Sequence, residues 1–164
     1  MFGGENFFLG KYEHPDGGKL TFAPSTPGHV EHRQLTNNSL NIMAGCFLAC
    51  TPGVNIKAKF GGFKALFSGE GAFLLEASGN GDLFFNSFGG IVEKEINGDF
   101  IVDTGHVVAF DPSLDYKITG MGSFKSTMLS GEGLVMRFSG NGKLYLQTRN
   151  LSGIASWLTP RLLG

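Results

Sequence analysis

Ser68–Phe85 reads SGEGAFLLEASGNGDLFF, and Ser130–Leu146 reads SGEGLVMRFSGNGKLYL. This repetition constrains the fold more than any other feature. A chain that says one thing twice builds one unit twice, and units this small bury a core only against one another. After the first Ser-Gly-Glu-Gly there is one extra residue, Ala72. Then Phe73, Leu75 and Ala77 align with Leu134, Met136 and Phe138, while Leu74 and Glu76 align with Val135 and Arg137. Period two predicts strands. A slip of one residue would turn every side chain to the wrong face, so Ala72 is expected in a turn or in a bulge at the strand's start. Both copies continue with Ser-Gly-Asn-Gly, at 78–81 and 139–142. Asn-Gly between alternating runs predicts a tight hairpin centred there.

The similarity reaches upstream. GVNIKAKF (53–60) alternates, as do Leu114, Tyr116 and Ile118 with Asp115, Lys117 and Thr119. AGCFLACTPG (44–53) falls on TGHVVAFDPS (104–113), which puts Pro52 and Pro112 at one turn position. A partial copy opens the chain. Gly4-Glu5 stands where Gly69-Glu70 and Gly131-Glu132 stand, Asp16-Gly17 replaces Asn80-Gly81, and Leu20-Thr21-Phe22 replaces Leu83-Phe84-Phe85. GHVEHRQL (28–35) then falls on GGIVEKEI (89–96). The predicted organisation is all-β, in one compact domain. Residues 1–35 form a partial first unit, 36–96 a second, 97–150 a third, and 151–164 a short helical tail. The opening strands of the first unit, roughly 40 residues by comparison with its sisters, would precede Met1. Three similar units close naturally around a pseudo-threefold axis, each covering the strand edges of the next.

Composition agrees. Of 164 residues, 26 are glycine and 16 phenylalanine, which fits short strands and tight turns and excludes disorder. Thirteen Lys and Arg against 14 Asp and Glu give no global positive field for nucleic acid. Cys46 and Cys50 are read as lying on one strand, ~13 Å apart on one face, beyond the reach of a disulfide. They are expected to be buried thiols in a reducing compartment. No leader is visible, and stretches such as AGCFLAC fall far short of the ~20 residues of a spanning helix.

GVNIKAKFGGFKALFSGEGAFLLEASGNG, VDTGHVVAF and LQTRNLSGIASWL together resemble the AIM24 family, also known as domain of unknown function 124. The resemblance covers nearly the whole chain. It implies a fold similar to the tryptophan RNA-binding attenuator protein (TRAP-like). Each unit would be a short double-stranded β-helix or β-sandwich, with three units per chain in pseudo-threefold symmetry and trimers of the chain. It implies no established activity, and it links the mitochondrial member to inner-membrane organisation. The resemblance implies a further stretch before the motif Gly3-Gly4-Glu5-Asn6-Phe7-Phe8-Leu9, which would precede Met1.

Few residues suggest chemistry. His29 and His32, with His14 nearby, lack the three or four convergent ligands a metal needs and read as surface histidines. His106, aligned with Cys46, reads as a core or half-buried histidine. Asp103 and His106 are close in sequence, but no nucleophile elbow accompanies them. GMGSFKS (120–126) lacks the glycine before lysine of a phosphate loop. Glu5, Glu70 and Glu132 recur at one position, where a carboxylate can bind a cation or accept backbone N–H bonds; their glycine neighbours favour the second. Phe63-Lys64 and Phe124-Lys125 place a cation beside an aromatic in equivalent loops, which makes them candidate partner contacts. Ile154, Trp157, Leu158 and Leu162 form a stripe expected to pack on the β core or on a neighbouring chain. Only Arg161 faces it, against the several basic residues of a membrane-surface helix.

These features point to a non-catalytic, oligomeric β scaffold, a homotrimer that also binds an unidentified protein partner, in the cytoplasm or, in a eukaryote, the mitochondrion. No metal or cofactor is implied. The alternative is a ring that binds nucleic acid or a small ligand. It rests on fold analogy alone, which does not transfer function.

Overall fold

The computed structural model describes residues 9–60, 73–120 and 134–162. Among these the chain is mostly strand, in an open antiparallel sheet. The strands are β1 (Val30–Met43), β2 (Phe47–Cys50), β3 (Val54–Phe60), β4 (Phe73–Asn86), β5 (Ile91–Asn97), β6 (Phe100–Asp103), β7 (Val107–Phe110), β8 (Leu114–Gly120) and β9 (Leu134–Gln147). One helix follows, α1 (Leu151–Leu162), within the predicted tail. Single 3-10 turns at Ala44–Cys46 and Thr104–His106 join β1 to β2 and β6 to β7. The 35/36 boundary drawn from the sequence falls inside β1.

The Asn-Gly hairpins do not form. β4 runs straight through Gly79-Asn80-Gly81, and β9 through Gly140-Asn141-Gly142. What changes there is the partner. One edge of β4 pairs with β1 throughout; on the other edge Phe73–Gly79 pairs with β3, and Leu83–Phe85 with β2. The Thr51–Gly53 turn between those short strands lies across the Gly-Asn-Gly backbone. The Asn80 N–H donates to Gly53 O (3.0 Å), and the Thr51 N–H to Asp82 O (2.9 Å). A Cβ on Gly79 would stand 2.4 Å from Gly53 O, and one on Gly53 1.8 Å from Asn80 O. Gly79 also has φ +125°. These glycines serve a close backbone crossing rather than a reversal. β9 repeats the arrangement, with β8 on Leu134–Gly140 and β7 on Leu144–Leu146. Both proline turns form as expected: Val54 N–H donates to Thr51 O and Leu114 N–H to Asp111 O, each 3.1 Å.

The two halves differ on the other edge. β1 carries a one-residue bulge at Asn37, whose φ is 54°. Asn37 and Asn80 hold it by exchanging bonds of 2.9 and 2.7 Å. The second half lacks that residue, and the strand is broken instead into β5 and β6 around Gly98 (φ +106°). β5 presents exposed Glu93, Lys94 and Glu95.

β1 also pairs with β7, Asn41 opposite Phe110 and Ile42 opposite Ala109, and this contact joins the halves. Two core clusters straddle it. One combines Ile42, Leu83 and Phe85 with Val108, Ala109 and Tyr145; the other combines Phe110, Met136 and Phe138 with Leu74. Phe110 meets Phe138 edge to face at 5.0 Å, and Phe85 meets Tyr145 at 5.5 Å, both favoured ring geometries.

Residues 9–27 behave differently from the sequence expectation. The Asp16-Gly17 turn forms, with Gly17 N–H on His14 O at 3.1 Å. The strand expected at Leu20–Phe22 does not, and Leu20 and Phe22 are exposed. No described strand lies beside it to supply backbone partners.

Gly79→Ala should lower stability by about 1–3 kcal/mol from its backbone conformation alone, and further through the clash with Gly53. Gly17→Ala, at φ +72° with nothing within 4 Å of the added carbon, carries the first cost without the second. Urea denaturation of the two variants separates crossing from conformation.

Candidate functional site

The loop residues singled out from the sequence, Phe63, Lys64, Phe124 and Lys125, lie outside the described residues, as do Glu5, Glu70, Glu132 and nearly all of 120–126. His14, His29 and His32 are on the surface, and no metal-binding group of His, Cys, Asp or Glu occurs among the described residues. His32 Nε2 is 2.8 Å from Asp82 Oδ1, and its ring stacks on Phe84 at 4.9 Å. Asp103 does not meet His106; its carboxylate accepts the Gly105 N–H at 2.7 Å.

The cysteines need one correction. Cys46 sits in the 3-10 turn, because the chain bends at Met43 before β2 begins; Cys50 ends β2. Both are free thiols. Cys46 is buried, which pushes its thiol up to about 12, and Cys50 is half-buried and raised for the same reason.

A charged seam that sequence reasoning missed crosses the joint between the halves. Arg33, on β1, donates through Nη1 to the Tyr145 hydroxyl on β9 and stands 5.7 Å above its ring. Its Nη2 is 3.8 Å from Asp111 Oδ1, with side chains only 28% and 23% exposed. Asp111 Oδ2 accepts the Lys143 N–H at 2.9 Å. Lys143 Nζ reaches Glu93 Oε1 on β5 at 2.5 Å. That bond from Lys143 holds the Glu93 carboxyl below its ordinary value and raises the lysine. Burial raises the Tyr145 phenol, so it stays protonated while its oxygen accepts from Arg33. Each acid in the seam faces a donor. Glu93 and Lys143 are 45% and 39% exposed, so water screens that pair strongly. Its contribution is present above the ordinary carboxylate range and fades as acid protonates Glu93. The clue was in the alignment: His32, Asp82 and Phe84 are matched in sequence by Glu93, Lys143 and Tyr145, so each half carries a side-chain pair joining a nitrogen to a carboxylate beside an aromatic ring.

His106 anchors the tail. Its Nδ1 is 2.7 Å from Gln147 O, which only accepts, so Nδ1 carries the proton. Nε2 then accepts from Asn150 Nδ2 at 2.9 Å. Asn150 Oδ1 takes the Gly153 N–H at 2.7 Å and caps α1. Beyond this tether the helix buries nothing. Ile154, Trp157, Leu158 and Leu162 are all exposed, Trp157 at 58%. The expected packing of this stripe on the β core is absent. Arg161 lies over the Trp157 ring at 4.2 Å.

A family model described as mitochondrial biogenesis AIM24 matches residues 1–149. The chain belongs to the AIM24 family. An uncharacterized protein of Streptococcus pyogenes serotype M6 is 35% identical over 161 residues, 96% of this chain and 65% of its own length. The crystal structure of another S. pyogenes protein, a structural-genomics target, is similar with a TM-score of 0.74 and 33% identity, over 85% of this chain and 62% of that one. The chain therefore spans less than two thirds of the length of either AIM24-type relative. No helix among the described residues is long and apolar enough to cross a membrane.

Tyr145→Phe should cost about 1–2 kcal/mol, since Arg33 loses its hydroxyl acceptor in a half-buried place; chemical denaturation measures it. At pH 8 Cys46 should resist a thiol reagent in the folded protein and react on unfolding, as burial keeps it protonated. Labelling of Cys50→Ser with and without denaturant reads this directly.

Proposed function

We propose that this AIM24 protein is a non-catalytic β scaffold that works by assembly and by holding a protein partner, in the reducing cytoplasm of a bacterium. The observation that carries the reading is α1. It is capped and tethered at its N-terminus, and then presents Ile154, Trp157, Leu158 and Leu162 to solvent with no protein surface against them among the described residues. A tethered helix with an apolar stripe is a form that proteins use to dock into a groove of a partner. A contiguous exposed apolar patch of this kind marks an interaction site. The finer architecture belongs to the same proposal: three TRAP-like units around a pseudo-threefold axis, and a trimer of chains. The seam supports a structural role, since its charged groups bind one another across the joint.

A chain ending at Asn150 should keep its strand signal by circular dichroism and show a smaller mass by light scattering, or lose its partner in a pull-down. Trp157→Ala should act in the same direction. A truncated chain whose mass and partner binding match those of the intact protein would remove the support for this reading.

A further inference from the structure

The link between the sheet and α1 is a single row of hydrogen bonds, pinned at both ends by backbone. At the sheet end, Gln147 O accepts from His106 Nδ1 at 2.7 Å. At the helix end, the Gly153 N–H donates to Asn150 Oδ1 at 2.7 Å. A carbonyl only accepts and an amide N–H only donates, so the direction of every bond between them is fixed. Asn150 Nδ2 donates to His106 Nε2 at 2.9 Å, and that nitrogen has to offer a lone pair. The row therefore requires a neutral imidazole.

The sheet side of the row is held more than once. The Gln147 side chain donates to Gly105 O (2.7 Å) and accepts the Phe88 N–H (2.9 Å). Thr148 exchanges bonds with Gly90, and the Arg149 N–H reaches Phe88 O. Among the described residues these sheet bonds stop at Asn150, and α1 buries no residue. The neighbouring elements bring few ionisable groups to His106. Asp103, before the turn, spends its carboxylate on the Gly105 N–H. Arg149 is exposed, with its stem against Gly89. Glu93 of β5 and Lys143 and Tyr145 of β9 are taken up in the seam. The first turn of α1 contains no acid. Among the described residues none of these groups bonds the imidazole, so no acceptor stands ready for a proton on Nε2.

We infer that protonation of His106 releases α1 from the sheet, which makes the tail a pH-sensitive element. A proton on Nε2 turns an acceptor into a donor aimed at the amide NH2 of Asn150. The amide can turn over and offer Oδ1 to the imidazolium, but its NH2 then faces the Gly153 N–H and the helix cap is lost. Keeping the cap loses the anchor instead. Either way one link of the row opens, and the positive end of the helix dipole opposes the new charge. The linkage has one sign. The released tail takes up a proton that the tethered tail excludes, so acid favours release. The first half has no such device, because Cys46 stands in place of His106. The inference concerns the helix of the docking reading above but does not depend on what that helix docks into.

Trp157 is the single tryptophan of the chain and lies on α1, so its fluorescence anisotropy follows the helix without a label. In the intact protein it should fall as the pH is lowered from about 8 to about 5, the range in which histidine changes charge, with the strand signal in circular dichroism retained. His14→Gln, His29→Gln and His32→Gln together should leave that fall in place, and His106→Phe should give the low value at both ends. Asn150→Asp separates the mechanism from a general loosening. Its carboxylate still caps Gly153 but turns an acceptor toward Nε2, so the neutral ring is disfavoured and the charged ring is bound. Anisotropy should then rise on acidification over the same range. A level wild-type value, a His106→Phe chain that behaves as wild type, or a fall of unchanged sign in Asn150→Asp overturns the inference. The docking reading stands or falls separately, on the truncated chain at the upper pH, where α1 is tethered.

Discussion

The crossing of the Thr51–Gly53 turn over Gly79-Asn80-Gly81 is the contact on which the rest of this architecture depends. It lets β4 continue unbroken while its partner on one edge changes from β3 to β2. The distance of a prospective Cβ on Gly53 from Asn80 O, 1.8 Å, leaves room for hydrogen alone. Because β4 stays continuous, β1 has a full-length strand to follow, and the far end of β1 reaches β7. The joint, the shared cores and the Arg33 seam all follow from that reach. The second half uses the same device in β9, and there, among the described residues, β5 and β6 pair with β9 alone.

The likeness of the two described halves was legible in the sequence, and so were their main strand segments, the proline turns and the terminal helix, whereas the strand expected at Leu20–Phe22 was not found. These depend on local patterns: period two, proline at a turn, and helical spacing. The turn assigned to Asn-Gly failed for a physical reason. Glycine with positive φ serves a tight reversal and a close backbone approach equally well, and local sequence does not separate the two. A broader view did contain a hint, since the repeated turn at Pro52 and Pro112 had to lie against something repeated. The bulge was also present as an arithmetic trace. The alignment loses one residue between Leu35 and Ala44, and Asn37 is that residue.

The seam was not legible, because its members come from distant parts of the chain. Arg33 and Tyr145 are separated by 112 residues and meet only through the β1–β7 joint. The partner contacts read from Phe63, Lys64, Phe124 and Lys125 fall outside the described residues, so the argument for binding moved to the tail. There the stripe expected to pack on the β core or on a neighbouring chain is exposed on the single chain, so the first of those two places is not the one it takes. His106 explains the geometry: it fixes where α1 starts, and the helix then leads away from the sheet. Its counterpart in the first half, Cys46, has no ring nitrogens to hold such a cap.

The charged face of β5 has a further consequence. Sheet edges are sticky by nature, and a long uncharged edge invites indiscriminate fibre growth. Glu93, Lys94 and Glu95 stand exposed along β5, directly before the uncharged Ile101-Val102 of β6. A strand laid along β5 would have to set its own side chains beside those charges and strip water from them. The break at Gly98 therefore divides this border into a charged stretch, unreceptive to chance pairing, and a short apolar one.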